Sequence, residues 1–97
     1  VPFVARIGDQ GQGVCSEHGE VTVTFVEGCE YVTADGIRVV TIGHRGVASC
    51  GHGTTATTGS TNVNAEGRGV HRIGDTGVLD EGGTYTVTTA SPTCQAD

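Results

Sequence analysis

Apolar and polar residues alternate through Val21-Thr22-Val23-Thr24-Phe25-Val26 and again through Tyr85-Thr86-Val87-Thr88-Thr89. Period-2 alternation puts one row of side chains on a buried face and the other on a wet one, so both segments are predicted as half-buried strands. No stretch carries apolar residues at helical spacing. Glycine breaks the pattern 17 times in 97 residues. Breaks that frequent hold the predicted strands to about three to six residues. Asp35-Gly36 and Glu66-Gly67 lie between short runs and are predicted as tight hairpin turns, with Gly supplying the positive φ such turns need. The expected fold class is all-β, each unit being a short β-hairpin, a Gly-Asp corner and a longer loop to the next hairpin.

The pattern also repeats. Gly28-Cys29-Glu30-Tyr31-Val32 is echoed by Gly59-Ser60-Thr61-Asn62-Val63 after 31 residues, and by Ala90-Ser91-Pro92-Thr93-Cys94 after another 31. Val39-Val40-Thr41-Ile42-Gly43-His44 aligns with Val70-His71-Arg72-Ile73-Gly74-Asp75 and with Val4-Ala5-Arg6-Ile7-Gly8-Asp9. The corner glycines Gly8, Gly43 and Gly74 are thus 35 and 31 residues apart. If the chain closes head to tail, the step from Gly74 back to Gly8 is again 31, and Asp97 followed by Val1 aligns with Asp35-Gly36 and Glu66-Gly67. A fixed period in so short a chain means three similar supersecondary units in one body. Residues 1–97 therefore read as a single pseudo-threefold domain with its termini side by side. The four extra residues of the first period fall between Asp9 and Thr22, in what reads as a Gly-rich loop.

Composition explains why such a body needs help. A chain of this length buries only roughly 60–65% of the surface its unfolded form exposes. With 4% aromatics, no Trp and no Met, large hydrophobes add little, so a metal, a disulfide or a partner is expected as a staple. The formal net charge is −6, from five Arg, no Lys and 11 acidic residues. That balance argues against nucleic acid, whose phosphates call for clustered cations. The scattered acids read as a solubilising surface. No segment approaches the roughly 18–20 consecutive apolar residues of a membrane helix, and no basic-apolar signal segment opens the sequence.

The loops after the first two corners hold the candidate chemistry: Cys15-Ser16-Glu17-His18 and Cys50-Gly51-His52. Both cysteines stand six residues beyond their corner, at Asp9 and at His44. Cys-x-x-His and Cys-x-His each place two zinc-type donors at short spacing, and threefold packing would bring the loops to one vertex. Cys15, His18, Cys50 and His52 are therefore the candidate metal ligands, a four-donor set suited to a closed tetrahedral site. The alternative is a disulfide framework, since four cysteines pair in three ways, and a Cys15–Cys50 bridge at the vertex is one version of it. Cys29 and Cys94 take positions held by Ser60 and Ser91, and by Val32 and Val63, and read as small buried fillers. His44 stands where the other corners have Asp, so it is either a fifth ligand or a hydrogen-bonding substitute, and the corner role is favoured. His71 aligns with Ala5 and Val40 and reads as packing or surface. The third loop, Thr76 to Thr84, offers only Asp80 and Glu81, both read as solvated. A zinc hydrolase would need an open metal position and a general base such as Glu17 or Glu20. No catalytic constellation stands out, and the chain is not expected to be an enzyme.

The Ala-Arg-Ile-Gly-Asp corner, the Gly-Ser-x-x-Val hairpins with acidic-Gly turns and the vertex Cys/His loops together resemble the PAAR-repeat family, named for a Pro-Ala-Ala-Arg motif. The resemblance covers essentially the whole chain. Pro2-Phe3-Val4-Ala5-Arg6 keeps the Ala-Arg, His71-Arg72 keeps the Arg, and Val40-Thr41 keeps neither. What the resemblance implies is a small cone with a structural metal at its point, zinc ahead of iron. Its broad base would dock, as a monomer, on a homotrimeric β-helical spike, one tip per trimer. It implies the tip of a phage tail or a type VI-like secretion spike, made in the cytoplasm, delivered outside the cell and in transient contact with a target membrane. Any cargo would be carried non-covalently, with no toxin domain fused to the chain. The family's usual ligand set of three His and one Cys would exchange Cys15 for His44. The rival reading is a secreted, disulfide-stapled β-rich binding or adhesion module.

Overall fold

The alternating segments are strands, and the chain is all-β. The computed structural model describes residues 2–80 and 82–96, among which there is no helix. Ten strands follow in order: β1 (Gln10–Cys15), β2 (Gly19–Phe25), β3 (Thr33–Ala34), β4 (Ile37–Arg38), β5 (Arg45–Ala48), β6 (Gly53–Ala56), β7 (Asn64–Ala65), β8 (Arg68–Gly69), β9 (Thr76–Leu79) and β10 (Gly83–Val87). Six of them close an antiparallel barrel in the order β1-β10-β9-β6-β5-β2. The barrel is three hairpins side by side, joined through equivalent registers in which a glycine always faces an inward apolar residue: Gly11↔Val87, Gly46↔Phe25 and Gly77↔Ala56. Closure removes the sheet edges that so short a set of strands would otherwise expose.

Below the barrel the chain makes three equivalent corners. Gly8, Gly43 and Gly74 hold φ of 91°, 94° and 89°, a conformation that favours glycine. Each donates its N–H to the last residue of a barrel hairpin: Gly8 to Phe25 at 2.9 Å, Gly43 to Ala56 at 2.9 Å and Gly74 to Val87 at 3.2 Å. The segments before the corners lock in a ring around the axis. The N–H of Ala5 donates to His71 O (2.8 Å), that of His71 to Val40 O (2.9 Å) and that of Val40 to Ala5 O (3.0 Å). Three chain segments related in this cyclic way are the pseudo-threefold centre that the 31-residue period predicts. The small hairpins β3–β4 and β7–β8 hang from this end, turning at Asp35-Gly36 (φ 55°, 79°) and Glu66-Gly67 (φ 52°, 83°). Positive φ at both central residues is the type I′ geometry that suits the strand twist. The chain ends meet here too, through the Phe3↔Gln95 bridge and the bond from Ala96 N–H to Pro2 O at 2.9 Å. The expected alignment of Asp97 and Val1 with the other two turns lies outside the described residues.

Two cores fill this body, whose principal extents are 34 × 22 × 22 Å. Inside the barrel Val21, Val23, Phe25, Ala48, Leu79, Tyr85 and Val87 pack together, with Cys15 in the same cluster. Beneath it Val4, Cys29, Ala34, Val39, Ala65, Val70 and Ala96 form the second. The backbone pairs Cys29 N–H to Val39 O, Ser60 N–H to Val70 O and Ser91 N–H to Val4 O, all at 2.8 Å. These place Cys29, Ser60 and Ser91 in one structural position. Cys94 is half-buried against the lower core and equivalent to Val32 and Val63, whose carbonyls accept from the same three valines.

Two expectations are corrected. The stretches read as long loops belong to the barrel hairpins, because their glycines, Gly11 and Gly13 in β1, Gly46 in β5 and Gly77 in β9, lie in paired strands. Gly11, Gly13 and Gly77 make room for Tyr85 on the adjacent strand β10, where an added Cβ would lie 2.2–2.9 Å from its atoms. The four extra residues between Asp9 and Thr22 accordingly lengthen β1 and β2. Pairing there runs on to Cys15↔Gly19, whereas in β5–β6 it stops at Val47↔Gly53.

Candidate metal centre

Hairpins that start at the corners must turn at the far end, and the turns of two of them carry the four candidate ligands. Cys15 ends β1. The turn Ser16-Glu17-His18 follows, with His18 N–H donating to Cys15 O at 3.3 Å and Gly19 at φ 78°. In the neighbouring hairpin, Cys50 sits in the turn after β5. Gly51 (φ 96°) donates to Ala48 O at 2.8 Å, and Ala48 N–H donates to the carbonyl of His52 at 2.8 Å. The two turns are fastened together by Ser49. Its N–H donates to Thr22 O at 2.8 Å, and its hydroxyl accepts from Thr22 N–H at 3.1 Å.

As a result, one donor atom each from Cys15, His18, Cys50 and His52 lies within 4.8 Å of every other. Cys15 Sγ is 3.4 Å from His18 Nδ1 and 3.3 Å from His52 Nδ1, and the two imidazole centroids are 5.0 Å apart. A tetrahedral ion with metal–sulfur bonds of about 2.3 Å and metal–nitrogen bonds of about 2.0–2.1 Å sets S···N edges of about 3.5 Å. The Cys15 edges already have that length. Cys15 is 1% exposed, Cys50 and His52 are half-buried, and His18 is exposed. The backbone N–H of Glu17, then the His18 imidazole, hold the Cys15 thiol down to about 6. A sulfur ionised near neutrality is a ready metal ligand. This Cys2His2 group could hold a metal ion.

His44 is not part of the group. It is buried at its corner, where Nδ1 accepts the Thr41 N–H at 2.9 Å and lies 3.0 Å from the Thr41 hydroxyl. Asp9 accepts from Arg6 N–H and Asp75 from Arg72 N–H in the same way, each at 2.9 Å. His44 therefore does the work of the corner aspartates, and the exchange of Cys15 for His44 has no geometric support. Burial, then the Arg68 charge, hold its imidazole below the ordinary histidine value. His71, read as packing or surface, is fully buried between the barrel and the ring. Its Nδ1–H donates to Thr58 O at 2.7 Å, and Nε2 faces the Tyr85 hydroxyl at 3.0 Å.

The third hairpin brings no Cys or His to the cluster, but it is tied in. Asp80, read as solvated, receives a two-pronged bond from the Arg45 guanidinium at 2.6 and 3.0 Å, while the same guanidinium donates to Thr55 at 2.7 Å. This link joins hairpins whose residues are 35 apart, and only the repeat could have hinted at it. Glu81 lies outside the described residues. Glu17 and Glu20 are exposed and outside the cluster, and the described residues enclose no pocket. All four cysteines are free, so the disulfide framework of the rival reading is not formed. Neither a family model nor a curated protein matches the chain.

Proposed function

We propose that this protein is a structural tip that caps a trimeric spike and holds one metal ion at its point. The observation that carries the reading is a division of symmetry along the long axis. One end has a threefold ring of backbone bonds with hairpins around it; at the other, two hairpins out of three supply a Cys2His2 cluster. A single chain with a pseudo-threefold face matches a homotrimer three-on-three, which two-partner docking of unrelated surfaces does not provide. That face carries apolar surface that a partner could cover. Tyr31 is 82% exposed there, with Ile37, Val63 and Ile73 each at 39%, although Val14 (55%), Val47 (43%) and Val78 (41%) are exposed along the barrel as well.

Zinc is the ion we assign, because two thiolates and two imidazoles in a tetrahedral set suit it best. Cys15 and His18 hold it from one hairpin and Cys50 and His52 from the next, with no position left for substrate. The ion clamps two turns whose own packing is one sulfur deep, so the point keeps its shape when pushed along the axis. The context is the tip of a phage tail or of a type VI-like secretion spike. Co-purification with a trimeric β-helical spike fragment tests this, with stoichiometry and metal content measured on the same sample. One tip and one zinc per three spike chains is expected. A 1:1 ratio to spike chains, or no complex, refutes the capping role.

A further inference from the structure

We propose that Cys50 and Cys15 are a redox-active dithiol, Cys50 being the sulfur that attacks the oxidant first and Cys15 the one that resolves the mixed disulfide into a Cys15–Cys50 bond. The disulfide would clamp the same two hairpins when no metal does. Three observations carry this. The donor atoms of the two cysteines lie within 4.8 Å of each other, on turns already fastened by Ser49 and Thr22. A disulfide of about 2.05 Å needs the sulfurs brought closer than they stand, and Cys50, which sits in a turn with the positive-φ Gly51 after it, is the partner with freedom to move. Access is unequal: Cys15 is 1% exposed, while Cys50 is only half-buried.

With glutathione disulfide as the oxidant, the chemistry balances in two exchanges. The Cys50 sulfur attacks one glutathione sulfur, the S–S bond of the reagent breaks, and one glutathione thiol leaves with the Cys50 proton. The Cys15 sulfur then attacks Cys50, the mixed disulfide breaks, and the second glutathione leaves with the Cys15 proton. The two cysteines lose two electrons and two protons, and the reagent gains both. A bound metal blocks the first exchange by occupying both sulfurs.

The repeat supplies a clean background for the test. Ser60 and Ser91 share the position of Cys29, and Val32 and Val63 share that of Cys94, so C29S with C94V removes the lower thiols using residues the fold already accepts there. In this background the chelator-treated full chain, given glutathione disulfide, should lose two hydrogens and show a 15–50 cross-link by peptide mass mapping. Adding Cys15→Ser should stop the reaction at one glutathione on Cys50. Adding Cys50→Ser should slow modification of Cys15 at least ~10-fold, because a covered thiol is not reached. The same mapping on the wild-type chain keeps the test open if a variant fails to fold. Glutathione on both sulfurs without a cross-link, or equal modification of Cys15 and Cys50 in the single variants, overturns the proposal. Spike binding is a separate readout, so failure here leaves the capping role untouched, and failure of capping leaves the dithiol standing.

Discussion

Replacing Gly77 with Ala should unfold the barrel at a markedly lower temperature, because the barrel is narrow only by virtue of its glycines. A Cβ on Gly77 would stand 2.2 Å from Tyr85 Cε2 and 2.4 Å from both Cζ and the hydroxyl oxygen. Ordinary carbon contacts are about 3.5–4.0 Å, so the methyl overlaps two ring carbons and the hydroxyl oxygen by about an ångström or more. The ring has nowhere to go. Tyr85 is 2% exposed, its hydroxyl is bonded to His71 at 3.0 Å, and Phe25 lies against it at a centroid distance of 5.7 Å. Overpacking of this kind costs about 3 kcal/mol, which for a domain of this size is a fall in Tm of about 12–24 °C. Thermal unfolding by circular dichroism measures it. A double-mutant cycle with Tyr85→Val, the residue at the equivalent Val23, tests the cause. With the ring gone, Gly77→Ala should cost less than about 1 kcal/mol, giving a coupling of about 2 kcal/mol or more. If the alanine costs the same with and without the ring, the account of the barrel's width is wrong.

Removing the metal should destabilise the chain by about 4 kcal/mol for a site held at a thousandfold above its Kd. A chelator should therefore lower Tm by about 15 °C or more, and an unchanged Tm would remove the clamp from the picture. Burial keeps His71 below the ordinary histidine value of 6.5, while the unfolded chain titrates normally. The unfolded state then binds the proton first as pH falls, so stability present above about 6.5 is lost as pH drops toward the folded value. Denaturation midpoints at about pH 7.5 and 5.5 should differ less in His71→Val than in wild type, and equal slopes would exonerate His71. At the second corner, His44→Asp should stay within about 0.5 kcal/mol of wild type. His44→Ala should lose about 1–3 kcal/mol, since it leaves the buried Thr41 N–H unpaired. Chemical denaturation distinguishes them, and equal losses would refute the corner equivalence.

How much of this was legible in the sequence depends on whether the relevant physics is local or repeated. The turns at Asp35-Gly36 and Glu66-Gly67 are local chemistry, and they form as read. The threefold ring is not local, yet the period exposed it, because Ala5, Val40 and His71 can bond in a cycle only if their segments are equivalent. β2 and β10 were legible from their alternation, whereas β1, β5 and β9 were read as loops because Gly11, Gly13, Gly46 and Gly77 resemble turn residues. Their reason lies in the strand beside them: Gly11, Gly13 and Gly77 stand against Tyr85 of β10, and Gly46 against Thr54 and Val23, pairings that only the barrel register reveals. The four candidate ligands could be grouped from their spacing past the corners. The Arg45–Asp80 link and the inward setting of His71 could not, since each depends on a partner in another repeat. Thr54 is a further case: its alternation matches a strand, but its hydroxyl is buried without a bonding partner, a local choice that the barrel does not reward.

The break in symmetry at the point follows from counting donors. A tetrahedral ion needs four, and three identical loops can offer only three or six. Two donors from each of two loops supply four, which leaves the third loop with no ligand to give. It must still be held against the other two, or the point would gape on one side. The Arg45–Asp80 pair does this with a guanidinium fork that also bonds Thr55 on its own hairpin. The extra residues of β1 and β2 fit the same logic, since they carry Cys15 inward to 1% exposure and set its sulfur 3.3 Å from the His52 ring of the next hairpin. A perfectly threefold version of this chain would keep its ring and its barrel but could not close a tetrahedron at the end. The lengthened first hairpin and the unequal turns thus depart from the repeat at the place where a single ion could be surrounded.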